Sequence, residues 1–187
     1  MGIFEFHKTE IKDVYYFDCF FSGDNRGNFS KSFVKDELKR IGVDFNISET
    51  FSSKSAKNVI RGLHFQTHKP QAKIITVLSG SIWDVIVDLR PNSVTYKKWI
   101  SFELNDKNHR CVFVPRGFAH GFLSKEDNTI MLYQCDGDYD PRTDSGIIFN
   151  DTDLNICWPI DTIETIHSER DLRLQTFMQY NANPMEL

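Results

Sequence analysis

The chain has 187 residues, a length that fits one domain. Its 26 acidic residues outnumber its 22 basic residues, and the net charge of −4 argues against a nucleic-acid-binding surface. No apolar run approaches the roughly 18 residues that a membrane-spanning helix needs, and the N-terminus lacks a signal-peptide pattern. The four cysteines form no CxxC pair, so we expect reduced core thiols in a cytoplasmic protein that binds neither nucleic acid nor membrane.

The apolar pattern predicts a chain made mostly of β-strands. One helix is predicted early, over residues 30–42, where apolar residues keep a rough helical spacing. Short stretches rich in Ile, Val, Trp and Tyr, separated by turn signals, follow at residues 73–78, 82–89, 97–104, 111–115 and 130–135. Strands at this spacing are typical of an all-β sandwich or barrel. A short helical piece is predicted after Ser168, and residues 181–187 are predicted to form a loose tail.

Two segments place polar residues where a functional site is favoured. In Arg61-Gly62-Leu63-His64-Phe65-Gln66, His64 and Gln66 share one face of a predicted strand because side chains alternate. In the segment 115–122, Pro115 and Gly117 fix a turn, and His120 follows at the start of a strand. Its Pro-x-Gly-x-x-His spacing is also the second motif of cupin barrels, where that histidine often binds a metal. The first motif then needs His-x-His, but this chain has His64-Phe65-Gln66, so a metal site is disfavoured.

A third candidate is Asp171, which follows Ser168 at helix-start spacing. A carboxylate in this setting is usually a surface helix residue. If it were buried beside a histidine, it would instead fix the imidazole tautomer and raise its basicity. The spacing alone leaves both interpretations open.

These segments together resemble the dTDP-4-dehydrorhamnose 3,5-epimerase family, from about residue 21 to residue 171. The matching positions, in chain order, are Asp24-x-Arg26-Gly27-x-Phe29, Ser53-x-Ser55, Arg61-Gly62-Leu63-His64-Phe65-Gln66, Gln71-Ala72-Lys73, Gly80-x-Ile82-x-Asp84-Val85-x-Val87-Asp88-Leu89-Arg90, Ser93-x-Thr95, Pro115-x-Gly117-Phe118-Ala119-His120-Gly121-Phe122, Tyr133, Tyr139-x-Pro141, Asp151, Ile156-x-Trp158-Pro159 and Ser168-x-x-Asp171. Each motif is weak alone, but their order and spacing form a strong signal.

The resemblance implies an all-β, cupin-type double-stranded β-helix (jelly-roll) barrel with a few short helices, formed by one epimerase domain over residues 1–187. It implies a homodimer that exchanges N-terminal strands, and the apolar and charged segment 3–21 is consistent with strands that need an outside partner. It also implies an enzyme without cofactor or metal that inverts C3 and C5 of a nucleotide-linked 4-keto-6-deoxy sugar, in deoxysugar biosynthesis for surface polysaccharide. The default substrate is dTDP-4-dehydro-6-deoxyglucose.

The resemblance also assigns roles to residues. His64 matches the general base, Asp171 its orienting carboxylate, Lys73 the cation near the C4 carbonyl and Tyr133 the acid on the opposite face of the sugar. The chemistry agrees, because a proton beside a ketone leaves only when a base is in reach and the enolate oxygen is stabilised. The substrate-binding positions are Arg26, Phe29, Glu49, Phe51, Arg61, Gln66, Asp84, His120 and Tyr139.

Three positions depart from the family pattern. Lys31 stands where the family usually has Glu, and Glu49-Thr50-Phe51 stands where it has Gln-x-Asn. These family residues surround the nucleotide base, so the departures raise the alternative of a different base, for example a GDP-linked sugar. The further alternatives are a single-site 3- or 5-epimerase, a metal-dependent cupin enzyme that uses His64 and His120, and a sugar- or nucleotide-binding module without activity.

Overall fold

The computed structural model describes residues 3–185 of the chain. Its strands are β1 (Glu5–Lys8), β2 (Tyr15–Asp18), β3 (Phe20–Asp24), β4 (Gly27–Lys31), β5 (Glu49–Ser55), β6 (Ile60–Gln66), β7 (Ala72–Ser79), β8 (Ser81–Asp88), β9 (Trp99–Asn105), β10 (Arg110–Val114), β11 (Phe118–Ser124), β12 (Thr129–Asp136) and β13 (Asp144–Gly146). Its helices are α1 (Lys35–Arg40) and α2 (Phe177–Ala182), with 3₁₀ turns at Thr162–Glu164 and Asp171–Arg173. All five predicted strands are confirmed within two residues at each end.

Two antiparallel sheets form the body of the protein. One has the strand order β1-β2-β10-β7-β12-β5 and the other has the order β13-β6-β11-β8-β9. A buried cluster fills the space between them, with Ile75 and Met131 from the first sheet and Ile86 and Phe122 from the second. The predicted jelly-roll barrel is confirmed.

Both faces of each sheet are covered, which explains why the strands read as nearly continuous apolar runs. Strand β8 shows this clearly, because Ile82 and Ile86 point into the barrel while Val85 and Val87 point outward into a second core. The C-terminal part of the chain closes that outer core, and α1 with the N-terminal strands closes the outer face of the first sheet. Polar residues at the inward positions of such strands therefore face the barrel interior.

The predicted helix over residues 30–42 is wrong in its first part. Residues 27–31 form β4 and pair with β3 as a separate two-stranded hairpin, so α1 begins only at Lys35. Pairing with a neighbouring strand outweighs the weak helical spacing there. No helix within residues 3–185 is long and apolar enough to cross a membrane.

The predicted loose tail over residues 181–187 is also corrected. Asn181 and Ala182 end helix α2, which begins at a capping box formed by Thr176 and Gln179. The side chain of Met185 is only 5% exposed and packs in the outer core with Tyr180. Residues 186 and 187 lie outside the described residues. The short helical piece predicted after Ser168 is the 3₁₀ turn Asp171–Arg173, whose first amide donates to the Ser168 hydroxyl at 3.0 Å.

The N-terminal strands divide into two groups. Strands β1 and β2 pair with each other and with β10 of the same chain. The β3–β4 hairpin joins neither sheet, and all of its residues are exposed.

The four thiols are free, but they are not all in the core. Cys111 and Cys135 are buried as expected, whereas Cys19 is partly buried and Cys157 is exposed. The expectation of four core thiols is wrong for these last two, because they lie in connecting segments rather than in a barrel strand.

Candidate active site

Strand periodicity brings most of the predicted site residues into one place inside the barrel. His64 comes from β6 in one sheet, while Lys73 and Tyr133 come from β7 and β12 in the facing sheet. Two adjoining cavities, of about 420 and 210 Å³, lie between these walls, and His64, Lys73 and Phe51 line both of them. A ligand placed there meets His64 on one side and Lys73 with Tyr133 on the other.

Two glycines allow β6 and β11 to approach closely behind the site. A Cβ atom on Gly62, which has φ +113°, would lie 2.6 Å from Gly121 Cα and 2.7 Å from the His120 carbonyl oxygen. A Cβ atom on Gly121 would lie 2.7 Å from the Arg61 carbonyl oxygen. Only glycine fits at both positions, and the resulting register sets His64 directly opposite His120.

His64 forms a hydrogen-bonded pair with Asp171. Its Nε2 atom lies 2.8 Å from Asp171 Oδ1, and the Arg170 guanidinium lies 3.1 Å from the same nitrogen. A proton on Nε2 that is donated to the carboxylate leaves the Nδ1 lone pair to act as a base. Asp171 is therefore a buried carboxylate paired with His64, and the surface alternative for this residue is excluded.

Asp171 remains ionised despite its burial. Burial acts to raise the pKa of Asp171, but the hydrogen bond and charge of His64, the Gly62 amide and the Arg170 guanidinium outweigh it. The pKa of Asp171 is held below its ordinary value as a result. The ionised carboxylate is a hydrogen-bond acceptor for the His64 ring.

Lys73 is the cation of the opposite wall. Burial lowers its pKa, while the nearby acidic groups Cys135, Asp144 and Glu49 act to raise it. Within residues 3–185 its ammonium makes no hydrogen bond or ion pair, so it is available to a ligand oxygen in the cavity.

Tyr133 lies beside Lys73 on the same wall. Burial strongly raises the pKa of Tyr133, and this keeps its hydroxyl protonated and able to donate. The ring of Phe51 stacks on it, with centroids 4.6 Å apart and an interplanar angle of 15°. This stack forms a flat apolar side of the smaller cavity, which the Arg61 and His120 side chains also line.

A second histidine–aspartate pair lies deeper in the barrel. His120 Nε2 is 2.6 Å from Asp84 Oδ1, and both side chains are almost completely buried. The other carboxylate oxygen of Asp84 has no hydrogen-bond partner within residues 3–185. His120 lines the smaller cavity, as predicted for a substrate-binding residue, while Asp84 supports it from behind.

Three polar residues of the larger cavity were missed by sequence reasoning: Gln71, Asp144 and Arg170. Arg170 donates to Asp144 at 2.7 Å, and the Tyr139 hydroxyl donates to the same carboxylate at 3.0 Å. Arg170 could have been found, since it directly precedes the orienting Asp171. Asp144 carried no signal of its own, because it lies on a three-residue strand in a polar stretch.

Gln66 lies in the cavity wall as predicted, but its amide is occupied by the backbone. Its Nε2 donates to the carbonyl oxygens of Lys69 and Asp138, and its Oε1 accepts from the Asp140 amide at 2.6 Å. Gln66 thus holds the loops beside the cavity together and has less capacity left for a ligand.

Glu49 and Phe51 lie beside the catalytic candidates. Strand register places Glu49 opposite Cys135 and Phe51 opposite Tyr133. Both side chains therefore line the larger cavity together with His64 and Lys73.

Arg26 and Phe29 lie on the exposed β3–β4 hairpin and line neither cavity that contains His64. Arg26 is ion-paired with Asp24 at 2.6 Å, and Lys31 lies on the same hairpin. The structure of the single chain therefore does not bring these predicted binding residues to the site.

No group of three or more His, Cys, Asp or Glu side chains in the described part of the chain is placed to hold a metal ion. His64 and His120 are opposite one another, but each is committed to its own aspartate.

Comparisons with known proteins agree with the residue pattern. A family model described as dTDP-4-dehydrorhamnose 3,5-epimerase matches residues 8–179. The enzyme of that name from Methanothermobacter thermautotrophicus is 41% identical over 188 residues, with all of both chains covered. The crystal structure of the Elizabethkingia anophelis enzyme aligns with a TM-score of 0.90 and 36% identity, and covers 96% of this chain and 100% of its own.

A solved complex is also similar. The Legionella pneumophila dTDP-6-deoxy-D-glucose-3,5-epimerase in complex with dTDP-4-keto-L-rhamnose aligns with a TM-score of 0.92 and 30% identity, with 97% of each chain covered. These similarities favour the epimerase hypothesis over the metal-dependent and binding-module alternatives.

Proposed function

The chain belongs to the dTDP-4-dehydrorhamnose 3,5-epimerase family, and from this we propose that it epimerises C3 and C5 of dTDP-4-dehydro-6-deoxyglucose. The observation that carries the proposal is the arrangement of His64 with Asp171 on one wall of a cavity and Lys73 with Tyr133 on the facing wall. Inversion at carbon needs a base and an acid on opposite faces of the sugar ring, and this cavity offers both.

Each inversion proceeds through an enolate. His64 removes the proton from the carbon next to the C4 ketone, and the electron pair moves onto the carbonyl oxygen. The Lys73 ammonium stabilises the developing negative charge, since a fixed charge in a site shielded from water acts strongly. Tyr133 then donates a proton to the other face, the carbonyl re-forms, and both side chains regain their starting protonation by exchange with solvent. No redox step occurs, so the proposal includes no cofactor.

The experiment is incubation with dTDP-4-dehydro-6-deoxyglucose in D₂O, with deuterium at C3 and C5 followed by NMR. We expect incorporation at both carbons. Incorporation at one carbon alone would identify a single-site epimerase, and no incorporation would contradict the proposed reaction. GDP-linked substrate run in parallel tests the nucleotide, and we expect it to react at least about tenfold less efficiently.

We also propose a homodimer in which the β3–β4 hairpin of one chain completes the site of the other. Two observations support this. The hairpin exposes Phe29 and Arg26 away from its own cavity, and β5 is an edge strand paired only with β12. Unpaired edges invite pairing with another chain. The Arg26 side chain of one chain would then hold the diphosphate bound by Arg61 of the other.

Mixed dimers test this arrangement. If the site is shared, a mixed dimer of one His64→Ala chain and one Arg26→Ala chain has one site with both substitutions and one site with neither. Mixing the two inactive proteins should therefore restore activity through the unaltered site. Lack of restoration after verified subunit exchange would contradict the shared site. We place the enzyme in the cytoplasm, where its four free thiols would stay reduced.

A further inference from the structure

A row of three residues crosses neighbouring strands of the first sheet at the wall of the larger cavity. Cys135 on β12 is directly opposite Glu49 on β5 and directly opposite Lys73 on β7. Residues directly opposite each other in an antiparallel sheet face the same side. Glu49 and Lys73 therefore flank Cys135 on the inner face, and both line the cavity of about 420 Å³.

Glu49 is the carboxylate at this site that lacks a cation of its own. Asp144 is paired with Arg170 at 2.7 Å, and Asp171 is paired with His64 at 2.8 Å. Within residues 3–185, Glu49 makes no ion pair, and its side chain accepts one hydrogen bond, from the neutral amide of Gln71 at 2.6 Å. Lys73 likewise has no ion pair there, so the two charges share the cavity without direct contact and act on each other through space.

The surroundings of Lys73 leave few other sources of negative charge. Burial raises the pKa of Cys135 to about 11, so this thiol is neutral at physiological pH. Asp144 is compensated by Arg170, and β10 contributes the apolar Val114 opposite Lys73. The titratable and charged groups that face Lys73 are Glu49 on β5, Tyr133 and Cys135 on β12, His64 and Arg61 on β6, His120 on β11, Asp144 on β13, and Tyr139 and Arg170 in the adjoining loops.

We propose that Glu49 is the counter-ion that keeps Lys73 charged in the cavity, and that Gln71 holds Glu49 in place. Gln71 is suited to this because it is buried and its amide also donates to the Gly137 carbonyl oxygen at 2.8 Å, which fixes its position. The proposal depends on the proposed function only for its effect on the reaction rate. Glu49 acts through Lys73 and is a positioning residue, not a catalytic one.

The counter-ion matters because burial alone pushes Lys73 toward its neutral form. A neutral amine stabilises an enolate oxygen far less than an ammonium does. Replacing Glu49 by the isosteric Gln keeps an oxygen for the Gln71 hydrogen bond and removes only the charge. Glu49→Asp keeps the charge and shortens the side chain, so the pair of variants separates charge from shape.

The direct test is the titration of Lys73, followed by NMR in protein with ¹³C-labelled lysine and assigned with Lys73→Arg. In Glu49→Gln the titration midpoint should fall by about half a pH unit or more, since an opposite charge nearby favours the charged form. It should move less in Glu49→Asp. Glu103→Gln is the matched control, because Glu103 is exposed and paired with Lys125 at 2.7 Å. An unchanged midpoint in Glu49→Gln would overturn the proposal.

The second readout is the pH dependence of deuterium incorporation. The alkaline limb of the profile, where Lys73 loses its proton, should move to lower pH in Glu49→Gln by the same amount as the titration midpoint. A uniform loss of rate at every pH would indicate a structural role and overturn the proposal. If the wild-type protein incorporates no deuterium, the proposed function fails, and the titration still decides the role of Glu49.

Discussion

The protein contains two histidine–aspartate pairs, whose histidines lie on neighbouring strands of one sheet and differ in their access to the cavity. The side chains of His64 and Asp171 are 29% and 5% exposed, whereas those of His120 and Asp84 are 6% and 0% exposed. Both pairs have short hydrogen bonds, of 2.8 and 2.6 Å. The pairing chemistry is the same, so pairing alone does not identify the base.

The partners of the two histidines also come from different places. Asp84 lies on β8, next to β11 in the sheet, whereas Asp171 comes from a 3₁₀ turn near the C-terminus. His64 further contacts Arg170 and borders both cavities, while His120 borders only the smaller one. We infer that the pair of His64 and Asp171 transfers protons. The pair of His120 and Asp84 instead binds the substrate and stabilises the barrel wall.

The largest expected effect is the loss of the base. His64→Ala should leave the barrel folded and reduce deuterium incorporation by about 10²-fold to 10⁴-fold, the usual contribution of a general base. Circular dichroism and thermal unfolding check the fold, and NMR in D₂O measures the incorporation. A folded variant that retained near wild-type incorporation would refute the assignment of His64.

The next largest loss of rate is expected for Lys73, on the cavity wall that faces His64. Lys73→Met keeps most of the side-chain length and removes the charge, so the chemical step should slow by about a hundredfold or more. Substrate binding should change much less, since the charge is needed most when the enolate forms. Steady-state kinetics separate kcat from KM, and a change confined to KM would place Lys73 on the diphosphate instead.

A smaller loss of rate is expected when Asp171, the hydrogen-bond partner of His64, is replaced. Asp171→Asn should slow incorporation by about tenfold to a hundredfold, less than the loss of the base itself, because the imidazole loses its orientation. The double variant with His64→Ala should be little worse than His64→Ala alone, since the two residues act as a unit. Fully additive losses of rate would indicate that Asp171 has a function independent of His64.

The smallest kinetic effect is expected in the second pair. Asp84→Asn should change kcat by less than about tenfold, because His120 keeps a hydrogen-bond acceptor. It should cost about 1–3 kcal/mol of unfolding free energy, since the new amide is buried where the present oxygen has no partner. Urea unfolding measures the stability. A larger kinetic loss in Asp84→Asn than in Asp171→Asn would reverse the assignment of the two pairs.

Two elements show where sequence reasoning about the fold fell short. Ser30 and Lys31 were predicted to begin a helix over residues 30–42 but end strand β4, because hairpin pairing outweighs weak local propensity. Residues 181–185 look like a polar tail, yet Met185 fills a gap in the outer core beside Tyr180. In both places the outcome depends on a neighbour that the local sequence does not reveal.

The amino-acid sequence by itself determined which side chains face the barrel interior. The period of two in β6, β7, β8, β11 and β12 places His64, Lys73, Asp84, His120 and Tyr133 on inward positions. The strand motifs and their spacing were sufficient to indicate the family and the jelly-roll barrel.

Only the tertiary structure decided which of these side chains meet. Asp171 reaches His64 across 107 positions of sequence, and Glu49 lies in one row with Lys73 because β5 and β7 both pair with β12. Local sequence encodes the face of a strand, but the register between strands and the path of the C-terminal segment are fixed by the burial of apolar surface throughout the molecule. For that reason the folded chain alone shows the ion pairs of the site and shows that Glu49 has none.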